Sequence, residues 1–262
     1  MPHVALPPRP HDSHRLLAGR TVVVTAAAGT GIGFATARRC AEEGARVAIS
    51  DWHERRLAEA ADTLAELTGE KPLAVACDVT VEDQVQHLFD TVAREYGGVD
   101  IAINNAGLGG DTPLLEMTDD QWFRVLDVTL NGTFRCTRAA MRQMSASGGG
   151  VIVNNASVIG WRAQAGQAHY AAAKAGVMAL TRCAAIEGAE HAIRVNAVAP
   201  SIAMHAFLAK VSDEELLAEL AGREAFGRAA EPWEVADVIV FLASEYSSYL
   251  TGEVVSVSSQ HP

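Results

Sequence analysis

TVVVTAAAGTGIG, from Thr21 to Gly33, is the stretch that decides the fold. Its first five residues are an apolar, β-branched run of strand length. Gly29, Gly31 and Gly33 crowd the turn that follows, and Ile32–Glu43 then takes helical spacing. A strand entering a helix through glycines leaves bare backbone N–H groups and a positive helix end where a pyrophosphate can sit. An ordinary tight turn is the plainer alternative, although such a turn rarely needs three glycines in five residues. The alternation continues outward. Strand-like runs recur at Arg46–Ser50, Leu73–Cys77, Asp100–Asn104, Val151–Asn155, Arg194–Val198 and Val254–Val257. Helical stretches separate them at His53–Leu67, Val81–Tyr96, Asp119–Ser145, His169–His191, Asp213–Leu220 and Pro232–Ala243. Continuous apolar strands alternating with helices predict a parallel sheet covered on both faces. The fold class expected is α/β: a single doubly wound, parallel, seven-stranded sheet of the Rossmann type. Residues 1–18, with four prolines and three histidines, read as a loosely held arm. Residues 19–262 read as one domain, with a substrate lid over 201–228.

Composition narrows the function. The 262 residues are 49% apolar, and 32 acids against 21 bases leave a net charge of −11. That field repels phosphate backbones, which argues against nucleic acid as a partner. The longest apolar runs, such as Val235–Ala243, fall short of the ~20 residues that a membrane span needs, so no membrane partner is expected. No apolar leader opens the chain. Cys40, Cys77, Cys136 and Cys183 stand far apart, as small buried hydrophobes of a reducing cytoplasm would. His11 and His14 have no third ligand nearby, and the histidines lack an HExxH spacing, so no metal is expected.

Several residues can carry chemistry. Asp51 follows the second strand, where a carboxylate can accept from both hydroxyls of an adenosine ribose. It also suits the N-cap of the next helix. Tyr170 and Lys174 stand four apart on one helix face. An ammonium beside a phenol favours the phenolate, preparing the tyrosine for acid–base work. With four tyrosines and few lysines, chance produces such a pair at a rate on the order of 5%. Asn104-Asn105-Ala106-Gly107 ends the fourth strand at the ligand-binding edge of such sheets, although Asx–Gly pairs also simply make turns. Ser157 follows the fifth strand without a GxSxG elbow, which disfavours a hydrolase nucleophile. The alanine-rich run Ala171–Ala185 suits close helix packing.

Taken in order, these marks resemble the short-chain dehydrogenase/reductase family from Gly19 onward. They are the glycine turn, the acid after strand two, CDV with Asp78, NNAG, a serine thirteen residues before YxxxK, and RVNAVAP with Pro200. The resemblance implies that Ser157, Tyr170 and Lys174 are the catalytic serine, tyrosine and lysine. It implies a nicotinamide cofactor held by Thr25, Gly29, Gly31, Ile32, Gly33, Asp51, Asp78, Val79, Asn105, Ala106, Gly107, Tyr170, Lys174, Pro200 and Ala203. Asp78 would meet the adenine, and Asn105–Gly107 would flank the cofactor. VIVNNASVIGWRAQ, HYAAAKAGVMALTRC and the ending SVSSQHP further resemble an actinobacterial branch linked to steroid C/D-ring degradation, whose substrates are ring fragments carried as coenzyme A thioesters.

This chain also departs from the family pattern. Ala26 stands at the first glycine, in a loop one residue longer, with Gly29 placed to take over that role. Thr129 stands where the family has a helix asparagine, and Asn131 falls two residues later. Pro200-Ser201 replaces Pro-Gly, His205 replaces a threonine, and Ser258-Ser259 replaces a glycine pair. The function expected is an NAD(H)-dependent oxidoreductase interconverting a secondary alcohol and a ketone on a bulky ring carried as a CoA thioester. A 3-oxoacyl-thioester reductase is the alternative within the class, and a catalytically impaired nucleotide-binding scaffold the alternative outside it. The resemblance implies a homotetramer or homodimer.

Overall fold

The computed structural model describes residues 12–204 and 214–259. Its seven strands are β1 (Thr21–Thr25), β2 (Arg46–Asp51), β3 (Leu73–Ala76), β4 (Ile101–Asn104), β5 (Gly150–Asn155), β6 (Ile193–Pro200) and β7 (Val254–Val257). They form one sheet in the order β3-β2-β1-β4-β5-β6-β7, with every neighbouring pair parallel. Helices α1 (Ile32–Glu42), α2 (Glu54–Thr68), α3 (Glu82–Tyr96), α4 (Asp119–Leu126), α5 (Gly132–Ser147), α6 (Ala168–Ala189), α7 (Glu214–Arg223) and α8 (Pro232–Ala243) complete the alternation.

Alternation of side chains along each strand divides the core. Val22 and Val24 of β1 join Ile49, Ile101 and Val153 against Ala37 of α1, Leu64 of α2 and Ile239 of α8. Val23 faces the other way, with Ala48, Ala102 and Ile152, against Leu88 of α3, Ala140 of α5 and Ala184 of α6. Burial on both faces explains why these strands are apolar throughout. The chain winds from β1 to β3 on one side and from β4 to β7 on the other. A crevice therefore opens at the C-terminal ends of the adjacent strands β1 and β4.

Three details differ from the sequence expectation. The helix expected over Asp119–Ser145 is two helices joined by a π turn at Asp127–Asn131. The Thr129 hydroxyl within that turn holds the backbone of Leu108, and Gly132 just after it lies so close to Val79 that a Cβ would come within 2.7 Å. The end of the arm is docked, not loose: Glu43 accepts from His14 N at 3.0 Å and Leu16 N at 2.9 Å, and Leu17 is buried. Residues 1–11 lie outside the described residues. Cys183 is exposed, unlike the other three cysteines, because it falls on the outer face of α6. Of the lid segment, 205–213 lies outside the described residues, His205 included. Its flanks are tied down, Ala203 bridging to Ala230 and Ser201 N donating to Val257 O. No described helix is long and apolar enough to cross a membrane.

Candidate active site

The glycine turn is built for close approach. Gly33, in the first turn of α1, lies where a Cβ would fall 2.3 Å from the carbonyl oxygen of Ala26, so α1 can enter only with glycine there. Ala26 itself adopts φ +51°, a left-handed conformation that costs an L-residue about 1–2 kcal/mol. Gly29 has φ +147°, and a Cβ there would meet nothing within 4 Å. Gly31 caps α1 with no side-chain hydrogen bond to its first turn, and Ile32 begins the helix. Open space, an uncapped helix N-terminus and its positive dipole suit a pyrophosphate.

Asp51 ends β2 and is buried, with one carboxylate oxygen accepting from His53 N at 3.0 Å. The N-cap of α2 is His53, whose ring accepts from Arg56 N, so the capping alternative for Asp51 does not apply. A carboxylate at this place can accept from a ribose hydroxyl. Asp78 Oδ1 accepts from Thr80 N and Oγ1 at 2.9 and 2.7 Å, which fixes the turn after β3, and the neighbouring Val79 is buried.

The NNAG segment is held from behind. Thr25 Oγ1 accepts from Asn105 N at 3.0 Å and Ala106 N at 3.1 Å. Thr25 is buried, and its hydroxyl holds this turn from behind. Asn105 Nδ2 donates to Thr25 O and Ala26 O, linking β4 to the glycine turn. Gly107 lies over the lysine: a Cβ there would be 3.4 Å from Lys174 Nζ and 3.8 Å from Thr129 Oγ1. Thr129 Oγ1 accepts from Leu108 N at 2.9 Å and donates to Leu108 O at 3.1 Å. This threonine therefore braces the loop with both faces of its hydroxyl. Asn131 is exposed and donates to Asp127, away from the site.

Ser157, Tyr170 and Lys174 come together beside that loop. Ser157 follows β5, accepts from Ile159 N at 3.3 Å, and donates to the carbonyl of Pro200, at the end of β6, at 3.5 Å. Lys174 is buried and donates to Asn155 O at 2.5 Å, with its ammonium 5.5 Å from the Tyr170 ring centre. Burial pushes Tyr170 up to about 12, and a hydrogen bond with Ser157 acts in the opposite direction. Burial pushes Lys174 down to about 7. The sequence reading has the ammonium lowering the phenol; instead desolvation, which disfavours the charged form of each, dominates both groups. The resting site holds its proton on tyrosine.

Sequence reasoning passed over two features here. Asn154 Oδ1 accepts from Asn104 Nδ2 at 2.9 Å, and Asn154 Nδ2 donates to Thr181 Oγ1 at 2.9 Å, so a buried polar network ties β4 and β5 to α6. Asn155 Nδ2 donates to Asn105 Oδ1 at 2.8 Å. The doublet NN closing the apolar run VIV was the available signal, because buried amides demand partners. At the far edge, Ser259 N and Oγ donate to buried Glu224 at 3.0 and 2.9 Å, joining the C-terminal segment to the end of α7.

A family described as enoyl-(acyl carrier protein) reductase matches residues 26–259. The chain is 62% identical to the (5R,7aS)-5-hydroxy-7a-methyl-1-oxo-2,3,5,6,7,7a-hexahydro-1H-indene-carboxyl-CoA reductase of Mycobacterium tuberculosis, over 99% of this chain and all of that one. It is 44% identical to the cis-4-hydroxycyclohexanecarboxylate dehydrogenase of Sinomonas cyclohexanicum, covering 92% of this chain and 95% of that one. Among solved structures, a short chain dehydrogenase from Mycobacterium smegmatis superposes with a TM-score of 0.87 at 57% identity, covering 97% and 98% of the two chains. With the parallel sheet, the glycine turn and the gathered serine, tyrosine and lysine, these likenesses assign the chain to the short-chain dehydrogenase/reductase family, oxidoreductases that act on CH–OH and C=O groups and use a nicotinamide cofactor.

Proposed function

We propose that this protein is an NADH-dependent reductase of a ring ketone carried as a coenzyme A thioester, with a bicyclic fragment of the steroid C/D type as its substrate. The observation that carries the chemistry is the convergence of Ser157, Tyr170 and Lys174 at the C-terminal edge of β5 and the first turns of α6. The bound nicotinamide supplies hydride. Gly29, Gly31, Ile32 and Gly33 hold the pyrophosphate at the N-terminus of α1, and Asp51 takes the adenosine ribose. Asp78 and Val79 flank the adenine, and Asn105, Ala106 and Gly107 flank the rest of the cofactor, as do Pro200 and Ala203. Ser157 orients the substrate oxygen. Tyr170 gives that oxygen its phenolic proton as the carbonyl becomes an alkoxide, and Lys174 binds the nicotinamide ribose.

The reductive direction is supported by the name of one relative, a reductase, and by a phenol that burial keeps protonated. A tyrosine near 12 is fully protonated at neutral pH, which suits a proton donor. Ring specificity is supported by two relatives, one named for a hexahydroindene CoA thioester and one for a hydroxycyclohexanecarboxylate. Both names describe a ring alcohol bearing a carboxyl group. Asp51 favours NADH over NADPH, because its carboxylate repels a ribose phosphate. A cytoplasmic location and a homodimeric or homotetrameric assembly belong to the same reading.

The test is NADH consumption, followed by absorbance, with a hexahydroindenone-carboxyl-CoA and with a linear 3-oxoacyl-CoA. The ring thioester is expected to be reduced at least about tenfold more efficiently, a difference of ~1.4 kcal/mol in transition-state binding. Preference for the linear thioester would replace the ring reading with that of a 3-oxoacyl reductase.

A further inference from the structure

Asn155 occupies a junction that the catalytic assignment leaves unused. Its backbone carbonyl accepts from Lys174 Nζ, and its side-chain Nδ2 donates to Asn105 Oδ1 at 2.8 Å. Asn105 in turn donates through Nδ2 to Thr25 O at 3.2 Å and Ala26 O at 3.1 Å. One unbroken hydrogen-bonded path thus runs from the buried lysine to the glycine turn.

The path fixes the orientation of both amides. Two carbonyls require Asn105 to present its NH2 to the turn, so its oxygen must face Asn155. Asn155 can answer only with its own NH2. Its Oδ1 is consequently the atom left over, and it is buried with no partner in a residue only 9% exposed. Leaving such an acceptor unmatched is costly, and native proteins rarely do so without a ligand or a water to complete it. Asn155 lies two residues before Ser157 and directly on Lys174, at the chemical end of the site and not the adenosine end. A hydroxyl of the nicotinamide-side ribose and the carboxamide of the ring are the hydrogen donors that a dinucleotide brings to that end.

We infer that Asn155 is a cofactor-binding residue whose Oδ1 accepts a hydrogen bond from the nicotinamide half of the bound dinucleotide, an assignment that rests on the dinucleotide reading above. On this assignment the adenosine half contributes no donor to this oxygen. Loss of the acceptor therefore weakens NADH while leaving an adenosine-only ligand untouched. A residue that merely props the glycine turn would affect both, because the turn holds the pyrophosphate.

Calorimetric titration of NADH and of ADP into the wild-type protein, Asn155→Ala and Asn155→Val separates these outcomes without any turnover. The expected result is a Kd for NADH about tenfold higher in both variants, equivalent to ~1.4 kcal/mol, with the Kd for ADP within about twofold of wild type. Val preserves more of the side-chain volume, so it keeps the measurement available if the alanine variant does not fold. An NADH Kd unchanged within about twofold would overturn the assignment, and so would parallel weakening of NADH and ADP. Failure of the wild-type protein to bind NADH would instead overturn the dinucleotide reading beneath it.

Discussion

At the scale of single residues, the proposed chemistry depends on one proton. Tyr170→Phe keeps the ring but removes the phenolic hydroxyl, so turnover should fall at least ~100-fold while NADH still binds. Steady-state rates beside a fluorescence titration of NADH check this, and near-normal turnover would remove tyrosine from the acid role. Lys174 makes a different forecast. Its folded value near 7 lies below the 10.5 of a free lysine, so between those pH values the unfolded chain binds the extra proton. Stability without cofactor therefore rises as pH increases from about 7 to about 10.5, and the full penalty of burying the charge is present below 7. Lys174→Met removes this contribution. The variant should gain on wild type as pH falls through that window, by up to about 1.4 kcal/mol per pH unit, in denaturant titrations. Asp51 decides between cofactors: wild type should prefer NADH to NADPH by about 30- to 150-fold, corresponding to ~2–3 kcal/mol. Asp51→Ala should narrow the ratio mainly by tightening NADPH, as paired binding titrations would show. The gathering of Ser157, Tyr170 and Lys174, and the place of Asp51 at the end of β2, were legible because each is a chemically special side chain at a short offset from a strand end or from another on one helix. Asn155 was not, because its importance lies in which of its two amide atoms is already spent.

At the scale of elements, the strand–turn–helix unit at Thr21–Glu42 stores strain in one place and forbids a side chain in another. Ala26 holds a positive φ that glycine would adopt without a Cβ penalty, partly offset by glycine's greater chain entropy. Ala26→Gly should raise stability by about 0.5–1 kcal/mol. Gly33→Ala must push a methyl against the carbonyl of Ala26 and the amide of Asn105, and should cost about 3 kcal/mol or more. Thermal melts of the two variants should move in opposite directions, and a neutral Gly33→Ala would contradict the packing described. The strand and helix of this unit were readable from apolar runs and glycines, which act locally. The π turn at Asp127–Asn131 was not, since it answers to a distant demand, the backbone of Leu108 held by Thr129. The same separation explains the docked end of the arm: nothing near Leu16 announces Glu43, 27 residues away, as the acceptor for its N–H.

At the scale of the whole molecule, the two core clusters leave some apolar side chains outside. Phe123 of α4 is 63% exposed and Ile186 of α6 is 77% exposed. Phe134 of α5 is also exposed, with Arg138 stacked on its ring at 4.5 Å. On the outer side of α6, Ala172, Ala175 and Ala179 are exposed, followed by Arg182, Cys183 and Ile186. Leu130 presses on Gly176, which joins the two helical segments into one surface. Exposed large apolar side chains on these helices, with small residues on the outer side of α6, can accept a second helix pair at close range. The composition of α6 was readable in advance, but which of its faces meets solvent depends on the sheet beneath it. Because a two-fold pairing presents the same face twice, one substitution in the chain places two charges in the interface. Light scattering at micromolar concentration should return two or four times the chain mass for the wild-type protein. Combined Phe134→Glu and Ile186→Glu should reduce the mass toward that of one chain while circular dichroism stays unchanged, since neither side chain belongs to the core. A wild-type monomer at that concentration would mean that these exposed side chains do not drive assembly.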